Sequence, residues 1–184
     1  MAAPPAYLVE PAIVEAKIAG SWENLGTVRD GVGMFIGGQV AIFPQEDFGA
    51  APNLTANVGD DMKLVMDLEE INYFAFLSTL PGCNVTGSAT DYDFSGLAKF
   101  PGVSLNDEAF ELRMRSPKAG RTWGFYAPKA IAVGDIEDLR HGASYPKTIP
   151  VQFQMMIDWT KSPVSERLYR YNTDYTNITN FGAV

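Results

Sequence analysis

The sequence predicts a mainly β, antiparallel sandwich or barrel-like domain with one helix lying against it. Three observations carry this reading. Ala109–Arg115 alternates cleanly, with Phe110, Leu112 and Met114 on one face and Glu111, Arg113 and Arg115 on the other, which is the period of a half-buried strand. Lys147–Trp159 alternates over a longer run: Val151, Phe153, Met155, Ile157 and Trp159 share one face, and Gln152, Gln154, Met156 and Asp158 the other. Antiparallel sheets with one covered face show this pattern. Met62–Leu80 changes period midway. Met62, Leu64, Met66 and Leu68 alternate as in a strand, and from Glu69 onward Ile71, Phe74, Ala75 and Leu77 fall on one helical face. Asp67 is the expected N-cap with Glu70 three residues on, and Pro81-Gly82 is the stop. The helix is therefore expected to lay Ile71, Phe74 and Leu77 on the sheet.

The remaining elements follow in order. Met1–Pro11 is rich in Ala and Pro and reads as an arm or an extended edge; Ala12–Ile18 fits a short helix or a strand. Val32–Ile36 and Gln39–Phe43 flank Gly37-Gly38, a two-residue hairpin signal, and Asp30-Gly31 is a second turn or a bulge in a longer first strand. Pro44–Asp61 then reads as a long connection, well beyond the usual ~4–6 residues, and such length points to function. Pro81–Asp107 is a second connection with room for a short strand. Thr122–Val133 is a long strand in which Pro128 demands an edge or a bulge. One helical turn is expected around Ile136–Arg140, and Lys161–Val184 has no apolar period. No repeat or linker divides the chain, so one domain is expected over 1–184, with 1–17 and 161–184 as terminal arms.

Composition narrows the function. With 46% hydrophobic and 20% charged residues the chain is globular. Its net charge of -8 disfavours specific DNA binding, which needs a basic face; contact with DNA that slides past is left open. Cys83 is the only cysteine, so neither an internal disulfide nor a thiolate metal cluster is expected. Met1–Glu10 lacks the basic start and apolar run of an export signal, and no apolar run reaches membrane-spanning length. The three Asn-x-Thr sequons, at Asn53, Asn84 and Asn177, then read as chance, and a reducing cytoplasm is the expected site of synthesis.

No chemistry-bearing constellation stands out. His141 is the only histidine and lies in a polar stretch, the usual place of a surface residue. Asp91-Tyr-Asp93-Phe-Ser95-Gly96 begins like a calcium loop, but its twelfth position is Gly102 where Glu is needed. Asp60-Asp61 and Glu69-Glu70 fit a turn and a helix start better than acid–base work. Gly31, Gly33, Gly37 and Gly38 lack the Lys-Ser/Thr of a phosphate loop. The expectation is no enzyme and no cofactor.

Several segments together resemble the major tail tube proteins of long-tailed bacteriophages. Leu25-Gly26-Thr27-Val28 before Gly31-Val32 is similar to that family's first strand. Gly59-Asp60-Asp61-Met62-Lys63-Leu64 running into Leu68-Glu69-Glu70 resembles its strand entering the helix. Pro128-Lys129-Ala130-Ile131, then Ile149-Pro150-Val151-Gln152-Phe153 and Asp158, resemble its last strand pair. The similarity spans Leu25–Trp159, and Cys83–Asn106 has no counterpart in it. The resemblance implies a virion structural protein made in the host bacterium. Its hexameric rings would stack into a hollow tube that conducts double-stranded DNA, with a tape measure protein, a tail terminator and distal tail or baseplate proteins as partners. It also implies inter-ring contacts by the long loop, with Gln45, Glu46, Asp47, Phe48, Asn53, Leu54 and Asn57 as candidates, and a channel lined by Gln152, Gln154, Met156 and Asp158. A tail terminator or head–tail connector is the nearest alternative. A monomeric ligand- or carbohydrate-binding β-sandwich using Trp123, Tyr126 and Trp159 is the alternative of a different class.

Overall fold

The computed structural model describes residues 6–8, 11–28, 31–44, 52–88, 90–96, 105–117, 123–133, 148–161 and 167–172. Its strands are β1 (Ala6–Leu8), β2 (Ala12–Ile18), β3 (Ser21–Val28), β4 (Val32–Pro44), β5 (Pro52–Leu68), β6 (Cys83–Ser88), β7 (Asp91–Gly96), β8 (Phe110–Arg115), β9 (Gly124–Val133), β10 (Ile149–Met155) and β11 (Arg170–Asn172), with one helix, α1 (Tyr73–Leu77), between β5 and β6. The main sheet runs β1-β4-β5-β10-β9-β8-β2-β3, β11 adds to β9, and β6 and β7 form a separate hairpin. Every pairing is antiparallel.

The sheet closes on itself. Thr27 on β3 and Glu69, just past β5, exchange backbone hydrogen bonds of 2.8 and 2.7 Å. That bridge completes a circuit β3-β5-β10-β9-β8-β2, and closure removes the sheet edges there. Alternate residues from each strand fill the interior: Val14, Leu64, Leu112, Met114, Phe125 and Phe153 are fully buried. Cross-strand partners share a face, so Phe153 opposite Leu64 and Ala132, and Met114 opposite Val14, build one continuous core.

Two backbone devices make the closure fit. Val14 pairs with Gly26 and Glu15 with Asn24, which leaves Leu25 as an extra residue on β3, fully buried in the core. At the adjacent Gly26 an added Cβ would sit 2.7 Å from the carbonyl oxygen of Glu69, so only glycine lets the two strands meet. The β2–β3 turn, Ala19-Gly20, has positive φ at both residues, the geometry that suits a two-residue hairpin.

The corner after β5 departs from the sequence expectation. Asp67 is not a helix cap; it lies in β5 opposite Pro150. Glu69 is held in the bridge, Glu70 turns the chain with φ at 50°, and Asn72 caps the helix, accepting from the Ala75 N–H at 3.3 Å. Helix α1 has five residues, about one and a half turns, too short to carry an apolar stripe. It buries Ala75, Phe76 and Leu77. Of the expected row, Leu77 is buried, Ile71 precedes the helix and packs on the core, and Phe74 is half-buried with its ring 6.0 Å from Tyr92 of β7. Phe76, absent from that row, is the fully buried anchor. The Asn72 N–H donates to Leu25 O at 3.1 Å, so the corner also covers the edge of β3.

The arm boundaries shift as well. Residues 12–17 are not an arm: β2 is a barrel strand with Ala12, Val14 and Ala16 fully buried. Within 161–184, β11 pairs with β9, and Leu168 and Tyr169 pack on the core. Pro128 sits at a bulge, where Phe110 faces Ala130 and Leu112 faces Ala127. The expected turn around Ile136–Arg140 lies outside the described residues.

Candidate functional site

The most distinctive feature grows from β4 and β5. The expected break at Gly37-Gly38 is absent: β4 runs straight through it, and β5 begins at Pro52, so most of the expected Pro44–Asp61 connection is strand. Gly38 faces Asp60, Ile42 faces Thr55, and the ladder ends at Pro44 opposite Pro52, two residues without an amide N–H to donate. Strand pairing overrides the turn-like composition of this stretch. Asn53, Leu54 and Asn57 therefore lie in β5, with Leu54 opposite Phe43 and Asn57 opposite Val40, while Gln45, Glu46, Asp47 and Phe48 lie outside the described residues. β1 covers β4 only over Val32–Met34 and β10 covers β5 only over Lys63–Leu68. Residues 37–44 and 52–61 thus form a two-stranded arm, roughly 26 Å long at ~3.3 Å per residue. At its root Phe35 and Ile36 are 47% and 52% exposed.

The outer face of β10 holds part of the expected polar row. Gln152 lies between Val65 and Val133, and Gln154 between Lys63 and Ile131; both are half-buried. Gln154 Nε2 donates to Met62 O at 3.2 Å. The strand ends at Met155, and Met156 and Asp158 follow beyond its end. The Met156 N–H donates to Lys129 O, the next residue along β9 in the same register, and the Asp158 N–H donates to Arg167 O, beyond the ladder. Asp158 Oδ1 accepts from the Thr160 N–H at 3.0 Å and Oγ1 at 2.7 Å. Burial acts to raise its carboxyl, and these two bonds with Lys161 and Lys129 outweigh that and hold it below the usual carboxylate range. Lys63, beside Gln154, also puts a cation on this face, which the row read along β10 alone does not show.

Across β2, β8 and β9 the same outer face carries charge in pairs. Glu15 accepts from Arg113 Nε at 2.7 Å and Arg115 Nε at 3.3 Å, and Lys17 meets Glu111 at 2.7 Å. The Tyr126 hydroxyl donates to Glu111 at 2.8 Å, and the Arg113 guanidinium lies 4.1 Å above the Trp22 ring. These are direct cross-strand neighbours, Glu15 opposite Arg113 and Lys17 opposite Glu111. The sequence alternation sets Arg113 and Arg115 in one polar row. It is outside the barrel, and its carboxylate is Glu15 of the same chain.

Other candidates come apart. Trp123 and Tyr126 are buried, and of the three aromatics offered for a sugar groove only Trp159 is exposed, at 72%. It borders a groove of about 560 Å³ with Lys129, Gln154 and Asp158. Asp91–Gly96 is neither calcium loop nor turn but strand β7, paired with β6. Among the described residues no group of three or more His, Cys, Asp or Glu is placed to hold a metal. Burial raises the Cys83 thiol, which makes it less nucleophilic; His141 lies outside the described residues. No described helix is long and apolar enough to cross a membrane. No family model and no curated protein matches this chain.

Proposed function

We propose that this chain is a structural subunit that closes into rings and stacks into a hollow tube, as major tail tube proteins of long-tailed phages do. The observation that carries the reading is the arm. A two-stranded ribbon is marginal in water by itself, and this one extends well past the third strands that support its root. Strand edges with no described partner invite pairing with other chains, so a partner surface is the economical account of its length. The closed barrel supplies a rigid body to carry it.

In this reading the arm, with Asn53, Leu54 and Asn57 in its second strand, makes the contacts between rings. The outer face of β10, with Gln152 and Gln154, lines the channel. That face is close to neutral, with Lys63 and Asp67 beside the glutamines. A near-neutral wall lets duplex DNA slide, because each unpaired lining cation would add a contact to phosphate. Hexameric rings, a tape measure protein, a terminator and passing genomic DNA are the partners that belong to this function. Gel filtration with negative-stain microscopy of the purified protein tests it. Rings that stack into tubes are expected; single rings that never stack favour the terminator or connector role; a chain that stays monomeric at all concentrations overturns the proposal.

A further inference from the structure

The geometry points to the arm as a zipper between copies: the outer edge of β5 in one copy pairs antiparallel with the outer edge of β4 in the next. This rests on the ring reading above: the strand edges of the arm close the ring, while its far end, at Pro44 opposite Pro52, is left to reach the next ring.

Both edges come from the same two strands. β4 is paired on one side by β5 and on the other by β1 only over Val32–Met34. β5 is paired on its far side by β10 only over Lys63–Leu68. Among the described residues no strand meets β4 from Phe35 to Pro44, or β5 from Pro52 to Met62, on those outer sides. The chain's own N-terminal strand is ill-suited to extend its cover. In the β1–β4 register Ala6 faces Met34, so the positions that would face Phe35 and Ile36 are 5 and 4; both are proline, with no N–H to give a ladder.

The two open edges are close in length, ten positions on β4 (35–44) and eleven on β5 (52–62), and match in direction. β4 and β5 run antiparallel. Copies related by rotation about an axis along the arm keep their direction, so β5 of one copy meets β4 of the next antiparallel, the pairing used throughout this sheet. Each contact consumes one edge from each copy, so it is head-to-tail and repeats until the rotation closes. Two-fold pairing of like edges would leave the other edge of each arm open to further pairing. The incoming strand would also cover Phe35 and Ile36, both exposed where the free edge of β4 begins.

Residue-resolved hydrogen exchange on the full chain, below and above its assembly concentration, tests this. Outward-facing amides of both 35–44 and 52–61 are expected to exchange freely in the single subunit and to slow on the order of 100-fold on assembly. Slowing confined to one strand means two-fold pairing and overturns the proposal. Assembly with both sets of outward amides unchanged overturns it and leaves the ring reading standing. A chain that never assembles overturns both.

Discussion

Strand β5 lives in two environments, and the contrast between them organises the molecule. From Met62 to Leu68 it lies in the barrel wall, with Met62, Leu64 and Leu68 fully buried and Met66 nearly so. From Pro52 to Asp61 its only described partner strand is β4. The backbone ladder is continuous through both, so pairing alone does not separate them. The inner stretch is stabilised by apolar burial, each large side chain being worth about 1.5–3 kcal/mol on removal from water. The outer stretch has pairing without a third strand, and a net hydrogen bond is worth only about 1 kcal/mol. A region of the first kind stands by itself; one of the second kind gains most from a further strand at its edge.

The largest effect expected inside the barrel is at Phe76. Its ring is fully buried where the corner after β5 meets β3. Phe76→Ala should cost about 3–5 kcal/mol in chemical denaturation, as a truncation that leaves a cavity. A loss below about 1 kcal/mol would show that the corner is not part of the barrel core. Next is Glu15, the carboxylate shared by Arg113 and Arg115. Glu15→Ala leaves two guanidinium groups on the barrel wall without it. Because Arg115 keeps 35% of its side-chain surface in solvent, the expected loss is about 1–3 kcal/mol, below that of a fully buried pair. Added salt should restore little of it if the pair is as shielded as its geometry indicates. A smaller effect is expected at Phe74, half-buried and touching Tyr92 at the β6–β7 hairpin. Phe74→Ala should cost about 1–2 kcal/mol and appear chiefly as faster hydrogen exchange in Cys83–Gly96.

The contrast also explains what the sequence discloses. Barrel strands are legible because one face is buried: the alternation of Phe110, Leu112 and Met114 and of Val151, Phe153 and Met155 is the imprint of the core, and the structure keeps both. Outside the described core the signal fades. Gly37-Gly38 and the Asn-, Gly- and Asp-rich 53–61 read as turn and loop because turn chemistry is local, while their pairing is set by facing residues as far away as Gly37 is from Asp61. Alternation can also mislead in the opposite direction. Ile157 and Trp159 extend the β10 pattern past Met155, yet the strand stops there and Trp159 is exposed. The helix phase fails for a related reason. Glu69 is taken by the bridge to Thr27, so the helix starts late at Asn72 and Phe76 becomes the anchor. A long-range bridge of this kind leaves no periodic trace. Among the site residues, the arginine row was legible as a row, but its partner Glu15 lies almost a hundred residues away, in a segment that reads equally as helix or strand.

The smallest expected effect on stability is also the sharpest test of the contrast. Replacing residues 40–58 with Asn-Gly joins Gln39 to Gly59, a facing pair, through the dipeptide that two-residue hairpins favour. The change removes most of the arm and no residue of the described core. Shorter loop closure offsets part of the lost pairing, so the unfolding free energy should move by no more than about 1 kcal/mol. Assembly, followed by sedimentation and microscopy, should be lost. A shortened chain that fails to fold would make the arm part of what holds the barrel together, erasing the contrast from the stability side. One that folds and still builds tubes would erase it from the functional side, because assembly would then not need a ribbon of this length.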